Sequence, residues 1–183
     1  GDIKYKDLNH DGVIDSNDQA PIGYNPVPEM TFSLAAGLNW KGIDFSILLQ
    51  GAARSSIYLQ QDIAWDNFWG NYYEEHIGRW TPETAATATY PRFSKAATAA
   101  HPNYYKSDYW LKDSKYLRLK NIQLGYTIPR KLLKKFGVRS LRVYANAYNL
   151  FTWDNVKKVD PESSNNSNGQ FYPPVSYTHL TLP

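Results

Sequence analysis

The sequence predicts an all-β chain of antiparallel strands. Three observations carry this: two pairs of segments that alternate apolar and polar residues, short links within each pair, and long polar stretches outside them. In the first segment Phe32, Leu34, Ala36, Leu38 and Trp40 share one face, and Thr31, Ser33, Ala35, Gly37 and Asn39 share the other. Lys41-Gly42 is a tight-turn signal. Alternation then resumes with Ile43, Phe45, Ile47 and Leu49 opposite Asp44, Ser46 and Gln50, with Leu48 out of pattern. In the third segment Leu117 and Leu119 keep one phase, and Ile122, Leu124, Tyr126 and Ile128 keep the other, so a bulge is expected near Lys120-Asn121. Residues 129 to 137, PRKLLKKFG, read as a short basic link with one helical turn begun at Pro129. In the fourth segment Leu141, Val143, Ala145 and Ala147 face one way, and Arg142, Tyr144, Asn146 and Tyr148 the other.

The links alternate short and long. Residues 52 to 113 separate the two pairs, and a polar stretch follows Phe151. Strands of this length cross a bilayer when tilted, and short links on one side with long loops on the other are the pattern of an outer-membrane barrel. Under that reading Lys41-Gly42 is periplasmic, and residues 1–30, 52–113 and 152–172 are extracellular. Trp40, Tyr126 and Trp153 near strand ends suit an aromatic girdle. A soluble β-sandwich shares the same period, so alternation alone fits both architectures.

The stretch DLNHDGVIDSNDQAPIG places Asp7, Asn9, Asp11, Val13 (through its carbonyl), Asp15 and Asp18 at the ligand spacing of a calcium loop, with Gly12 at the sharp turn. Asp18 is shorter than the Glu usual at the last place. The residues before the loop, GDIKYK, alternate like a short strand, and Pro21 prevents a following helix, so a helix–loop–helix sensor is not expected. Calcium here would be a structural cofactor. A soluble calcium-dependent carbohydrate-binding β-sandwich is the alternative reading of the aspartates and aromatics together. It accounts poorly for the order of short and long links.

Composition narrows the function classes. The chain has 183 residues, 15 Tyr, 6 Trp, no Cys and a net charge of +3. Without cysteine there are no disulfides or thiolate metal sites. Basic residues form no long run, which argues against a nucleic-acid partner. His10, His76 and His101 are scattered, Glu74-Glu75-His76 lacks a second zinc-helix histidine, and no nucleophile elbow or phosphate loop appears, so no enzyme activity is expected. The long middle segment concentrates aromatics. Trp65, Phe68, Trp69 and Tyr72 fit one helical stripe, with Trp80 beyond it, and these are the candidates for substrate or partner contact. Residues 81 to 105, biased to Ala, Thr and Pro, are expected to be irregular.

Four ordered segments, GDIKYKDLNHDGVID, GLNWKGIDFSILLQG, YLRLKNIQLGYTIPRKLL and LRVYANAYNLFTW, resemble SusC/RagA-type TonB-linked outer-membrane transporters. The resemblance covers residues 1 to about 175. It implies antiparallel strands from the C-terminal part of a roughly 22-stranded transmembrane β-barrel, incomplete here and with long extracellular loops. It implies location in the cell outer membrane among its lipids, and import of an oligosaccharide or peptide. It also implies a SusD-like surface lipoprotein as partner, and TonB acting through an absent N-terminal part. Residues 176 to 183, SYTHLTLP, resemble translated sequencing-adaptor sequence and are expected to be a non-native tail.

Overall fold

The computed structural model describes residues 1–68, 72–95, 100–156 and 159–163. The suspected tail at 176–183 lies outside them. The chain divides into two compact units. One is built from Val27–Ser55 and Asp113–Ser163, the other from Gly1–Pro26 and Ser56–Lys112. Its strands are β1 (Met30–Trp40), β2 (Ile43–Ala53), β3 (Ser56–Tyr58), β4 (Leu111–Asp113), β5 (Tyr116–Thr127) and β6 (Arg142–Asp154), with one helical turn, α1 (Arg130–Leu133), before β6.

The first unit is a four-stranded antiparallel sheet in the order β1-β2-β5-β6. The β1–β2 link is the predicted turn at Lys41-Gly42. Both residues take positive φ, 48° and 88°, which gives the turn whose twist matches the paired strands. The β5–β6 link begins at Pro129, winds through α1 and a 3-10 turn, and ends at Gly137 in the left-handed region, so the helical turn read from the sequence is present. Both short links sit at one end of the sheet. Met30, Ala53, Tyr116 and Asp154 mark the other.

Register assembles the alternating residues into one apolar face. Its rows are Phe32–Gly51–Leu117–Trp153, Leu34–Leu49–Leu119–Phe151, Ala36–Ile47–Ile122–Ala147, Leu38–Phe45–Leu124–Ala145 and Trp40–Ile43–Tyr126–Val143. From Phe32 to Trp40 this band runs about 26 Å along the strand at ~3.3 Å per residue. A tilt of ~40° brings it near 20 Å along the membrane normal, and the end rings extend it towards the apolar height of about 25 Å typical of outer-membrane barrels. The face is uncovered: Leu34 and Leu38 are each 62% exposed, Leu124 56% and Phe151 58%. A soluble sandwich would bury such a face at ~25 cal/mol per Å² of apolar area.

The bulge falls where the phase slips. Leu49 pairs with Leu119 and Leu48 with Asn121, so Lys120 has no opposite number on β2. On the β6 side Leu119 pairs with Phe151 and Asn121 with Tyr148, and Asn149 there takes φ 51°. The extra residue returns Ile122, Leu124 and Tyr126 to the apolar face already occupied by Leu117 and Leu119.

The other face is polar and carries two charge clusters. Asp44 on β2 reaches over β5 to Arg142 on β6, with Arg142 Nε 3.0 Å from Oδ1. Gly125 makes this possible, since a Cβ there would lie 2.6 Å from the Asp44 carboxylate oxygens. At the opposite end Arg118, 4% exposed, donates to Thr152 Oγ1 (2.9 Å), Asp160 (2.8 Å) and Glu162 (2.9 Å). Lys120 and the Tyr116 hydroxyl also reach Glu162, each at 2.8 Å. This pins residues 159–163 against the strands.

Removing the guanidinium leaves Asp160 buried without its cation. Arg118→Met in the full-length protein is expected to cost about 3–5 kcal/mol, read as a lower denaturant midpoint. Adding Asp160→Asn and Glu162→Gln should recover part of the loss. An unchanged midpoint in Arg118→Met would contradict this role.

Candidate loop unit for ligand and partner contact

The second unit contains the candidate contact residues. In chain order it comprises the residues before β1 and those between β2 and β5. Its regular structure is modest: β3 pairs with β4, and among the described residues the remaining elements are 3-10 turns, including Gln61–Ile63, Glu74–Gly78 and Pro102–Tyr104. The expected helical stripe does not form over its described part, Trp65–Phe68. Asn67, between Trp65 and Phe68, takes a positive φ of 53°, a conformation no α-helix tolerates, so these two aromatics do not share a helix face. Residues 81–95 run as turns and extended backbone, as their composition predicts.

The aromatics instead form a core. Trp65, 3% exposed, lies 4.7 Å from the Tyr104 ring and 5.7 Å edge-on from Phe68. Trp110 packs on Tyr109 at 4.7 Å and on Tyr90 at 5.9 Å, and its indole N–H donates to the Asn103 carbonyl at 2.8 Å. Of the five candidate contact residues, Trp65 is buried, Phe68 and Trp80 are half-buried and Tyr72 is exposed, while Trp69 lies outside the described residues.

A polar centre sits inside this core. Asp66 is fully buried and accepts from the Tyr104 hydroxyl, from the Ser94 amide at 2.9 Å and from the Tyr90 hydroxyl at 3.5 Å. His76, 2% exposed, accepts the Tyr73 amide at Nδ1, so its Nε2 carries the proton facing the Ala64 carbonyl 3.2 Å away. Burial, together with the Asp66 carboxylate, raises the Tyr90 and Tyr104 phenols above the usual tyrosine range. Burial and Glu75 push Tyr109 up to about 12. These groups escaped the sequence reading because Asp66, Ser94 and Tyr104 are far apart in the chain and no local spacing links them.

The first residues are an extended strap, not the short strand their alternation predicts. Asp2 pairs with Arg92 (Nε to Oδ1 2.7 Å) and accepts from Asn103 Nδ2 at 2.9 Å. The Arg92 hydrogen bond holds the Asp2 carboxyl below its ordinary value, against the effect of burial. Asn103, fully buried, accepts the Ile3 amide at 2.9 Å.

The aspartate loop is a closed set of side-chain-to-backbone bonds. Asp7 accepts from His10 and Gly12 amides at 2.6 and 2.8 Å, Asn9 from Asp11 at 3.0 Å, Asp11 from Val13 at 2.8 Å and Asp15 from Asn17 at 2.7 Å. Asp18 closes the loop on the Leu8 and Asp15 amides at 2.7 and 2.9 Å. The Asp15 amide, then that of Leu8, keeps the Asp18 carboxyl below its usual value. Gly12 turns the chain at φ 85°. Among the described residues no three acidic or imidazole side chains are grouped to hold a metal ion. A single 3-10 turn, Ser16–Asp18, follows the loop, with no α-helix after it.

No family model matches the chain. Curated proteins do. TonB-dependent receptor P26 of Formosa agariphila is 32% identical over 171 residues, 90% of this chain. TonB-dependent receptor SusC of Bacteroides thetaiotaomicron is 27% identical over 174 residues, 92% of this chain. This chain is similar to one portion of the SusC/RagA-type TonB-dependent receptors. It spans 16% of the length of each of those two relatives. Among solved structures, the RagAB peptide importer in its open-open state superposes with a TM-score of 0.64 at 21% identity, over 88% of this chain and 18% of that one. Its closed-closed state gives 0.60 over 89% and 19%. The fold is therefore that of a TonB-dependent receptor barrel wall, and the receptor resides in the outer membrane.

The raised phenols set a pH limit on the loop unit. A folded-state pKa above the unfolded value contributes stability that is complete below about pH 10, the unfolded tyrosine value, and is lost as pH rises towards the folded one. Hydrogen exchange of residues 56–112 in the full-length receptor should therefore accelerate above about pH 10. In Tyr90→Phe and Tyr104→Phe that alkaline acceleration should shrink. Tyr104→Phe should also lose about 1.5–3 kcal/mol at neutral pH, the size of a hydrogen bond to a charged group.

Proposed function

We propose that this chain is a length of barrel wall and an extracellular loop unit from an importer that takes up oligosaccharides or peptides together with a SusD-like surface lipoprotein, powered by TonB through another part of the receptor. The observation that carries this reading is the sheet itself: one face wholly apolar and uncovered, the other polar, with both short links at one end. Likeness to the TonB-dependent receptor SusC supports the receptor class, and likeness to the RagAB peptide importer supports import of a peptide. The polar face would line the lumen. The mechanism is capture and passage, with the loop unit offering exposed groups such as Tyr72, Ile77 and Tyr105 to solute or lipoprotein.

Orientation is open to direct test. In the full-length receptor on intact cells, Glu83→Cys should react with a membrane-impermeant maleimide, and Lys41→Cys should react only after the outer membrane is opened. The reverse pattern would overturn the reading.

Calcium belongs to the same proposal. Asp7, Asn9, Asp11, Asp15 and Asp18 side chains and the Val13 carbonyl would hold it as a structural ion, fixing residues 7–18 in one shape and removing ordering entropy from later encounters. Binding would exchange several of the loop's own amide bonds for metal contacts, so a weak extracellular site is expected, in the range of about 10⁻⁴–10⁻³ M. Terbium luminescence of the full-length receptor should rise with metal and be lost in Asp11→Ala. Equal luminescence in wild type and variant would remove calcium from this account.

A further inference from the structure

Four of the five rows of the apolar face carry a Leu, Ile or Phe side chain from β2, and the row at the end away from the short links carries none. There β2 supplies only Gly51 and Ala53 between two aromatic walls, Phe32 on β1 and Trp153 on β6. A slot of about 550 Å³ opens at this end, lined by Phe32, Ala53, Lys115, Leu117, Trp153 and Asn155 among others. Gly51 cannot be enlarged without displacing Phe32, because a Cβ there would lie 2.4 Å from the ring. The slot is continuous with the lipid-facing surface, and its size suits a small apolar ligand.

We propose that this slot seats one acyl chain of a resident lipid A molecule of the outer leaflet, with Lys115 meeting the lipid's phosphate. The choice of leaflet rests on the orientation proposed above. The chain would lie between Phe32 and Trp153 and over Leu117. Lys115 is held by Asp113 at 2.8 Å, and both side chains are substantially exposed (58% and 42%), so the pair exchanges cheaply for a phosphate. A carboxylate lining the slot, Asp154, accepts the Val156 amide at 2.9 Å.

The test is native mass spectrometry of the detergent-purified full-length receptor, titrated after delipidation with diphosphorylated lipid A or with phosphatidylglycerol. Wild type should retain one lipid A that Ala53→Trp, which fills the slot, does not. Ala36→Trp, on the same face at mid-height, should retain it. Lys115→Glu, which leaves the slot's shape intact, should weaken retention roughly two- to fivefold, the size of one exposed charge contact. Equal retention in wild type, Ala53→Trp and Lys115→Glu would overturn the proposal. So would a preference for phosphatidylglycerol, or a change of oligomeric state in Ala53→Trp in place of lipid loss. The maleimide labelling pattern reports the orientation separately, so a wrong leaflet and an absent lipid site give different results.

Discussion

Backbone hydrogen bonding across β1, β2, β5 and β6 is the constraint on which the rest of this chain depends. In hydrocarbon an unpaired amide or carbonyl costs several kcal/mol, so a membrane wall is built only from strands whose ladders are complete. Pairing fixes register, and register assigns every side chain to a face. A slip of one residue would carry Leu34, Leu38, Leu124 and their neighbours to the lumen and send Asp44, Gln123 and Arg142 into lipid. The bulge at Lys120 is therefore part of the wall's specification. Without the extra residue, either Leu117 and Leu119 or Ile122, Leu124 and Tyr126 would face the wrong side.

The same constraint explains where charge is tolerated. The Asp44–Arg142 pair lies on the polar face and bridges two strands that are not neighbours, over a glycine that leaves room for it. Arg118 is buried more deeply, yet its donors end on Thr152, Asp160 and Glu162, so the guanidinium is not left to bear its desolvation alone. Burial of Val159, in the segment these bonds fasten, offsets part of that desolvation cost. Charge on this wall is a device for fastening chain to the polar face, and the apolar face carries none along its five rows.

The wall was legible in the sequence because its information is local. Alternation of period two named the faces, Lys41-Gly42 named the turn, and the phase change between Leu119 and Ile122 named the bulge within one residue. The loop unit was much less so. Trp65, Phe68 and Tyr72 have helical spacing, but spacing says nothing about the positive φ at Asn67, between the first two of them. Asp66 belongs to no local motif, and its burial follows from Tyr90, Ser94 and Tyr104, which arrive from distant turns. The aspartate loop falls between these cases. Its sharp turn at Gly12 was read correctly from the sequence, whereas the carboxylates' preference for nearby amides is a property of the folded loop.

The core of the loop unit bears on how such a surface recognises anything. Trp65, Tyr90, Tyr104 and Trp110 are consumed in packing, so their large apolar areas stabilise the unit and are not available for binding. What they supply is stiffness. A segment with little regular structure would lose about 1–2 kcal/mol of backbone entropy for each residue ordered on contact. Here that ordering is already met by aromatic packing, by the Asp66 centre and by the strap from Asp2 to Arg92 and Asn103. Exposed groups on such a unit can then be few and still contribute net affinity, because little of their interaction energy is spent on arranging the backbone that carries them. Under the proposed function, aromatic abundance in this segment serves binding indirectly, through the shape it holds, and contact residues are to be sought among the smaller set left at the surface.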